Sequence, residues 1–263
     1  MEPNLIAGGY DAVYAAVPNS PTLRRIWHEL AEGVDFPEEF GHISFTTLPE
    51  LERMANELRL DPGDTLVDLG CGTAGPALWM ARETQTHLIG IDASRVATEQ
   101  ATARAAELGL GEQARFVVGS YAETGIEAET VNGAMSEDAL QYAPSKEAAM
   151  AEVARILRPG GRFVFTVYEL DLERAAGLPI LGADVVDDYR PVLEKAGFTV
   201  TTYEQVSGWP EPMTSTYSAV VEAKDTLTEE MGEPATNALL LEMTLTLEHR
   251  PYRRRVLVAA TRE

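Results

Sequence analysis

The chain has a single cysteine, Cys71, in 263 residues, which excludes an internal disulfide framework and fits a reducing compartment; a cytoplasmic location is expected. Positive charge is scarce: 21 Lys and Arg stand against 42 Asp and Glu, a formal net charge of −21. Such a surface repels phosphate backbones and anionic membranes, so no nucleic-acid partner is expected. No apolar run reaches the roughly 18 residues of a membrane span. The opening MEPNLIAGGYDAVY has neither a basic n-region nor an apolar h-region. The four histidines and one cysteine show no metal-ligand spacing, so no metal site is expected. The basic run Arg253-Arg254-Arg255, beside Arg250, reads as the charged start of a strand rather than an anion site. Internal repeats and low-complexity tracts are also absent.

What is present is an alternation of periods. Two helix-like patterns fall in residues 1–60, over Thr22 to Glu32 and Leu48 to Leu58. Strands are then expected at 65–70, 87–92, 114–120, 131–136 and 162–169. Helices are expected between them over Pro76 to Thr84, Ser94 to Leu108 with Ser94 as N-cap, and Ser145 to Leu157. A helix over Val185 to Ala196, ended by Gly197, leads to strands at 198–206 and 253–261. This order predicts an α/β fold: a seven-stranded, mostly parallel sheet with helices on both faces. The expected organisation is an N-terminal helical cap (1–60), a core (61–208), a helical insertion (209–249) and a last core strand (250–263). An excursion of some 40 residues between two strands is long for a connection. It either pads one face of the sheet or covers a substrate. Trp209, Met213, Tyr217, Met231 and Met243 would be core in the first case and a greasy substrate wall in the second. Trp79 and Met80 read as packing residues.

The densest signal is the run Val67-Asp68-Leu69-Gly70-Cys71-Gly72-Thr73-Ala74-Gly75, a strand passing through glycines into a helix. Gly70 and Gly72 let a ligand lie against bare main chain, and Gly75 permits close packing of the helix start. Asp92 ends the next strand, where a carboxylate can accept both hydroxyls of a ribose. These features suit a nicotinamide dinucleotide and an adenosyl cofactor alike. Asp68 separates them: beside the crevice its carboxylate would repel a pyrophosphate, whereas a sulfonium and an ammonium would be stabilised. Cys71 reads as a small packing residue in the turn, not a nucleophile.

Here the chain resembles the class I methyltransferases that use S-adenosylmethionine (SAM). DLGCGTAG resembles their first motif, IGIDAS (89–94) the second, FVVGSYAET (116–124) the third, MSEDALQYAPSK (135–146) the fourth and LRPGGRFVFT (157–166) the fifth. The resemblance covers roughly residues 45–205. It is greatest to the small-molecule branch with the ubiquinone/menaquinone, tocopherol and actinobacterial natural-product enzymes. It implies a Rossmann-like SAM-binding core, SAM as cofactor with S-adenosylhomocysteine (SAH) as product, and a small organic acceptor as partner. It further implies cofactor contacts from Asp68, Gly70, Cys71, Gly72, Asp92, Ala93, Ser120, Tyr121 and Glu137. From the cap, GHISFTT (41–47), with His42 and Thr46, would pass near the methionine end, and Tyr10 and Tyr14 would close over it. Many relatives carry an acid and, four residues on, a histidine in the fourth motif. Here Asp138 and Tyr142 hold those positions, so a histidine base there is missing. The catalytic candidates are Glu137, Asp138, His42 and Tyr142; His28, His87 and His249 read as structural or exposed. Two alternatives stay open: a relative that binds SAM but catalyses a cyclisation, and an NAD(P)-dependent oxidoreductase.

Overall fold

The computed structural model describes residues 3–33, 35–179 and 184–263, with side chains from residue 10 onward. Two helices open it, α1 (Pro3–Ala16) and α2 (Pro21–Trp27), then α3 (Leu48–Leu58). The alternating part runs β1 (Thr65–Leu69), α4 (Gly75–Thr84), β2 (His87–Asp92), α5 (Arg95–Glu107), β3 (Ala114–Val118), β4 (Val131–Glu137), α6 (Lys146–Ile156), β5 (Leu157–Leu170), α7 (Arg190–Lys195) and β6 (Phe198–Gln205). Three helices follow, α8 (Pro210–Glu222), α9 (Lys224–Met231) and α10 (Glu233–His249), before β7 (Arg253–Arg262). Among the described residues no helix is long and apolar enough to cross a membrane.

The seven strands lie in the order β3-β2-β1-β4-β5-β7-β6. β1 through β5 are parallel, and β7 slots antiparallel between β5 and β6. The chain builds outward from β1 to β3, then returns to lay β4 on the other side of β1. That reversal opens a crevice beyond the carboxyl ends of β1 and β4, where open α/β sheets bind ligands. β1 and β4 are almost wholly buried, as parallel strands covered on both faces must be.

Local chemistry fixes the helix starts. Ser94 and Ser145 accept the Ala97 and Ala148 N–H at 3.0 and 3.1 Å, so both expected N-caps are in place. Thr47 and Glu50 form a capping box at α3, turning Leu51, Met54 and Leu58 into the sheet core with Trp79 and Met80. α3 thus packs on the sheet, although the reading above grouped it with the N-terminal cap. A separate apolar core joins α2 to the insertion: Leu23, Ile26 and Trp27 pack with Met213, Val220, Leu227, Leu239 and Met243. Val13, Ala16, Ala31 and Phe45 belong to the same core, whereas Phe36 and Phe40 pack in the sheet core with Leu51 and Met54.

Three expectations need correction. α1 gave no helical signal, because Gly8 and Gly9 interrupt it; tertiary ties to α5 and its N-cap hold it instead, with Gln100 donating to the Tyr14 carbonyl at 2.7 Å and Ser94 to Asp11. The helix expected from Val185 begins only at Arg190, since Pro191 belongs in a first turn and Asp188 takes the Arg190 N–H at 2.9 Å. The run 253–255 is not simply a charged strand start. Arg255 is fully buried, Arg254 pairs with Glu169, and Arg253 lines a cavity.

Candidate active site

The turn after β1 is forced open. Gly70 and Gly72 have φ of +74° and +51°, which L side chains rarely adopt. A Cβ on Gly70 would sit 2.5 Å from the Tyr121 hydroxyl, and one on Gly72 would sit 2.8 Å from that of Tyr14. Gly75 is needed for a different reason: a Cβ there would lie 2.0 Å from the Phe40 carbonyl oxygen, where the N-terminal segment crosses the start of α4. Asp92, at the end of β2, accepts the Gly72 and Ser94 N–H at 2.8 Å each, locking turn and strand end together.

Above this turn lies a cavity of about 410 Å³, a size suited to a small organic ligand. Tyr10, Tyr14, His42, Asp68, Gly70, Cys71, Gly72, Asp92, Ala93, Ser120, Tyr121, Glu137, Asp138 and Tyr142 all line it, as the sequence reading grouped them. Thr46 does not. It is buried behind the wall, where its hydroxyl accepts from Arg255 at 3.2 Å. His28 pairs with Glu32 at 3.3 Å, His87 is exposed and His249 is buried at the end of α10; none of the three lines the cavity. Cys71 is buried and its thiol pKa pushed up, by burial first and then by Asp68 and Asp92, so it stays protonated.

The floor is rich in carboxylates that lack donors. Asp68 Oδ1 and Glu137 Oε1 are buried with no hydrogen-bond partner. Burial, and secondarily Asp92, pushes the Asp68 carboxyl up to about 8. Burial, then Asp68 and Asp138, holds Glu137 well above the carboxylate range, with Arg255 opposing. Such a pair waits for a cation, which would supply the missing charge and donors. Bare main chain at the turn, the Asp92 carboxylate and these two acids fit the adenosyl, sulfonium and ammonium parts of SAM. They do not fit a pyrophosphate.

The sign of the pH response follows. Folded Asp68 keeps its proton to about pH 8, whereas the unfolded chain loses it near 3.8. Its contribution to stability is therefore complete at acid pH and lost as pH rises through about 8. A bound cation favours the ionised form, so SAM affinity is expected to rise from pH 6 to 8 with proton release on binding. Calorimetry at pH 7 in two buffers of different ionisation enthalpy measures that release; affinity falling over this range would contradict it.

The catalytic candidates separate by partner. Asp138, at φ +48°, is committed to structure: Oδ1 accepts from Arg255 at 2.8 Å and Oδ2 from the Phe45 N–H at 3.2 Å. His42 Nδ1 accepts the Ser44 N–H at 3.1 Å, which puts the ring proton on Nε2. Burial lowers its pKa to about 3, so it is a neutral donor facing the cavity, not a poised base. Tyr142 donates to Glu242 Oε1 at 2.5 Å, and Tyr10 to Glu242 Oε2 at 2.8 Å. Glu242, missed in the sequence, is the lone charge in the apolar run ALLLEMTL of α10. It ties α1, the segment after β4 and the insertion together over the cavity. Met213 and Tyr217 of α8, with Phe45, give the remaining wall its apolar character.

Residues 66–161 match a family described as a methyltransferase domain. The chain is 30% identical to methyltransferase GfsG of Streptomyces halstedii over 197 residues, 69% of this chain and 70% of that protein. It is 27% identical to 27-O-demethylrifamycin SV methyltransferase of Amycolatopsis mediterranei (strain S699), over 80% of this chain and 79% of that one. A solved structure, the [4+2]-cyclase SpnF, superposes with a TM-score of 0.77 at 22% identity, covering 98% of this chain and 94% of that chain.

Proposed function

Since this chain belongs to the class I SAM-dependent methyltransferases, we propose that it methylates a small, largely apolar organic acceptor, of the hydroxylated polyketide kind, by in-line displacement. The observation that carries this reading is a cavity in which unpartnered carboxylates at the sheet meet an apolar wall from α8. The cofactor supplies an electrophilic methyl on a sulfonium. The chain's part is to hold the two reactants in line and keep water out, which is worth on the order of 7–11 kcal/mol when alignment is good. In this reading Asp92 takes the ribose hydroxyls beside Gly70 and Gly72, and Ala93, Ser120 and Tyr121 flank the adenine. Asp68 and Glu137 face the positive end, with Cys71 packed in the turn. Tyr10 and Tyr142, which share Glu242, close the top with Tyr14 against the Tyr10 ring, and residues 209–249 cover the acceptor. His42 donates a hydrogen bond from Nε2. Glu137, once ionised beside the cation, is the acid left free to take the proton of an acceptor hydroxyl, a step worth about 10²–10⁴-fold.

The test is transfer of labelled methyl from SAM to hydroxylated polyketides, starting with 27-O-demethylrifamycin SV, the compound named for one relative. Labelled product and equimolar SAH are expected. A second reading keeps SAM bound while the chain catalyses a cyclisation. The likeness to a [4+2]-cyclase over almost the whole chain and the missing fourth-motif histidine favour it. An acceptor rearranged without label would decide for that reading.

A further inference from the structure

The cavity holds polar groups without partners of both kinds. The acceptors are Asp68 Oδ1 and Glu137 Oε1 near the ends of β1 and β4, and Gln141 Oε1 after β4. Two further donors stand on β5 and β7. Arg253, the first residue of β7, is half-buried and lines both the main cavity and a smaller side pocket next to it. Among the described residues no carboxylate pairs with its guanidinium and the guanidinium makes no hydrogen bond; it lies 5.8 Å from the centroid of the Tyr168 ring. In a chain with twice as many acids as bases, a guanidinium left unpaired inside a cavity is conspicuous.

Tyr168 supplies a second, independent sign. It lines the same two cavities, is only 7% exposed, and its buried hydroxyl has no partner. Burial holds the phenol protonated, with Asp138 adding to that and Arg255 opposing, so it is a donor in search of an acceptor. Two other cavity acids are already engaged: Asp138, whose charge acts on Tyr168, by Arg255 and the Phe45 N–H, and Glu242 by the Tyr10 and Tyr142 phenols. An arginine and a phenol aimed at one space form a site for a carboxylate: the guanidinium offers a planar fork of donors, and the hydroxyl offers one more.

We propose that Arg253 and Tyr168, which line both the main cavity and the side pocket, bind a carboxylate on the acceptor molecule and so select acidic acceptors. This rests on the methyltransferase reading for its purpose but not for its geometry. The carboxylate anchors one end of an apolar acceptor whose body lies along Phe45, Met213 and Tyr217, which leaves the other end to meet the methyl. Arg253 is a specificity residue here; it takes no part in the displacement.

The experiment titrates 2-naphthoate and 2-naphthamide, equal in shape and different in charge, into the protein with and without saturating SAH. The wild type is expected to prefer naphthoate by about tenfold, the size of one charge-assisted pair. Arg253→Gln should reduce that preference to near unity, Arg253→Lys should keep part of it, and Tyr168→Phe should lower it by a few-fold. SAH affinity should be the same in Arg253→Gln and wild type. Equal binding of the two probes, or binding of neither, overturns the proposal. So does a preference that survives Arg253→Gln. Weakened SAH binding in that variant would assign Arg253 to the cofactor's own carboxylate, and acetate competing as well as naphthoate would mean a site for a free anion; either result overturns it. Failure of SAH to bind the wild type sinks the methyltransferase reading alone, because the probe preference is measured without SAH as well.

Discussion

Replacing Arg255 by methionine is expected to lower the stability of the chain by about 3–5 kcal/mol, the usual result of removing one partner from a buried ion pair. Arg255 is 0% exposed and reaches three separate parts of the chain: Asp138 at 2.8 Å, Glu50 at the start of α3, and the Thr46 hydroxyl at 3.2 Å. Burial alone would lower its pKa, but Asp138, Tyr168 and Glu50 more than offset that and hold it above the ordinary arginine value. Without the guanidinium, two carboxylates remain in the interior with no counter-charge. For a chain of this size the loss corresponds to a fall in Tm on the order of 10 °C. Site geometry should suffer too, because Asp138 follows Glu137 directly and holds the Phe45 backbone against the cavity. Thermal unfolding of Arg255→Met and Arg255→Lys measures both effects. The lysine variant keeps the charge without the fork and should fall between. A methionine variant as stable as the wild type would show that the pair contributes specificity only.

The second large effect is at the glycine turn. Gly72→Val is expected to weaken SAH binding roughly 100-fold or more, a loss of at least ~2.7 kcal/mol. Two causes act together. A β-branched residue at φ +51° is strained, and its Cβ falls 2.8 Å from the Tyr14 hydroxyl, in the space where cofactor and cap must meet. Gly72 also donates its N–H to Asp92 at 2.8 Å, so distortion there moves the ribose carboxylate as well. Calorimetry with SAH, on protein whose circular dichroism matches the wild type, reads the effect. Tight binding by this variant would mean that the turn does not face the ligand.

The β1-to-β5 part of the fold was legible because its signals are local. Alternating apolar strands, serine caps at 94 and 145, and Gly-Pro at the start of α4 each act over a few residues, and all are found as expected. The same holds for the glycine turn and the acid that ends β2. What the sequence hid depends on partners far along the chain. α1 has a Gly-Gly interruption and is held by contacts to α5 and α10. Arg255 resembled a surface arginine within a basic run, because the acids that bury it lie at positions 50 and 138. Glu242 carried no local signal, because the tyrosines that mark it, Tyr10 and Tyr142, lie 232 and 100 residues away. Thr46 was grouped with the cavity by its neighbours in GHISFTT; His42 to Phe45 do line it, but Thr46 is buried behind them against Arg255.

The most direct test of the account is equilibrium titration of SAM, SAH and NADH against the wild type and Asp92→Ala. The account predicts saturable one-to-one binding of SAM and SAH to the wild type, none of NADH, and a loss of about 1.5–3 kcal/mol for each ribose hydrogen bond removed in the variant. A wild type that is folded but takes up neither adenosyl compound, or that takes up NADH in their place, would contradict it.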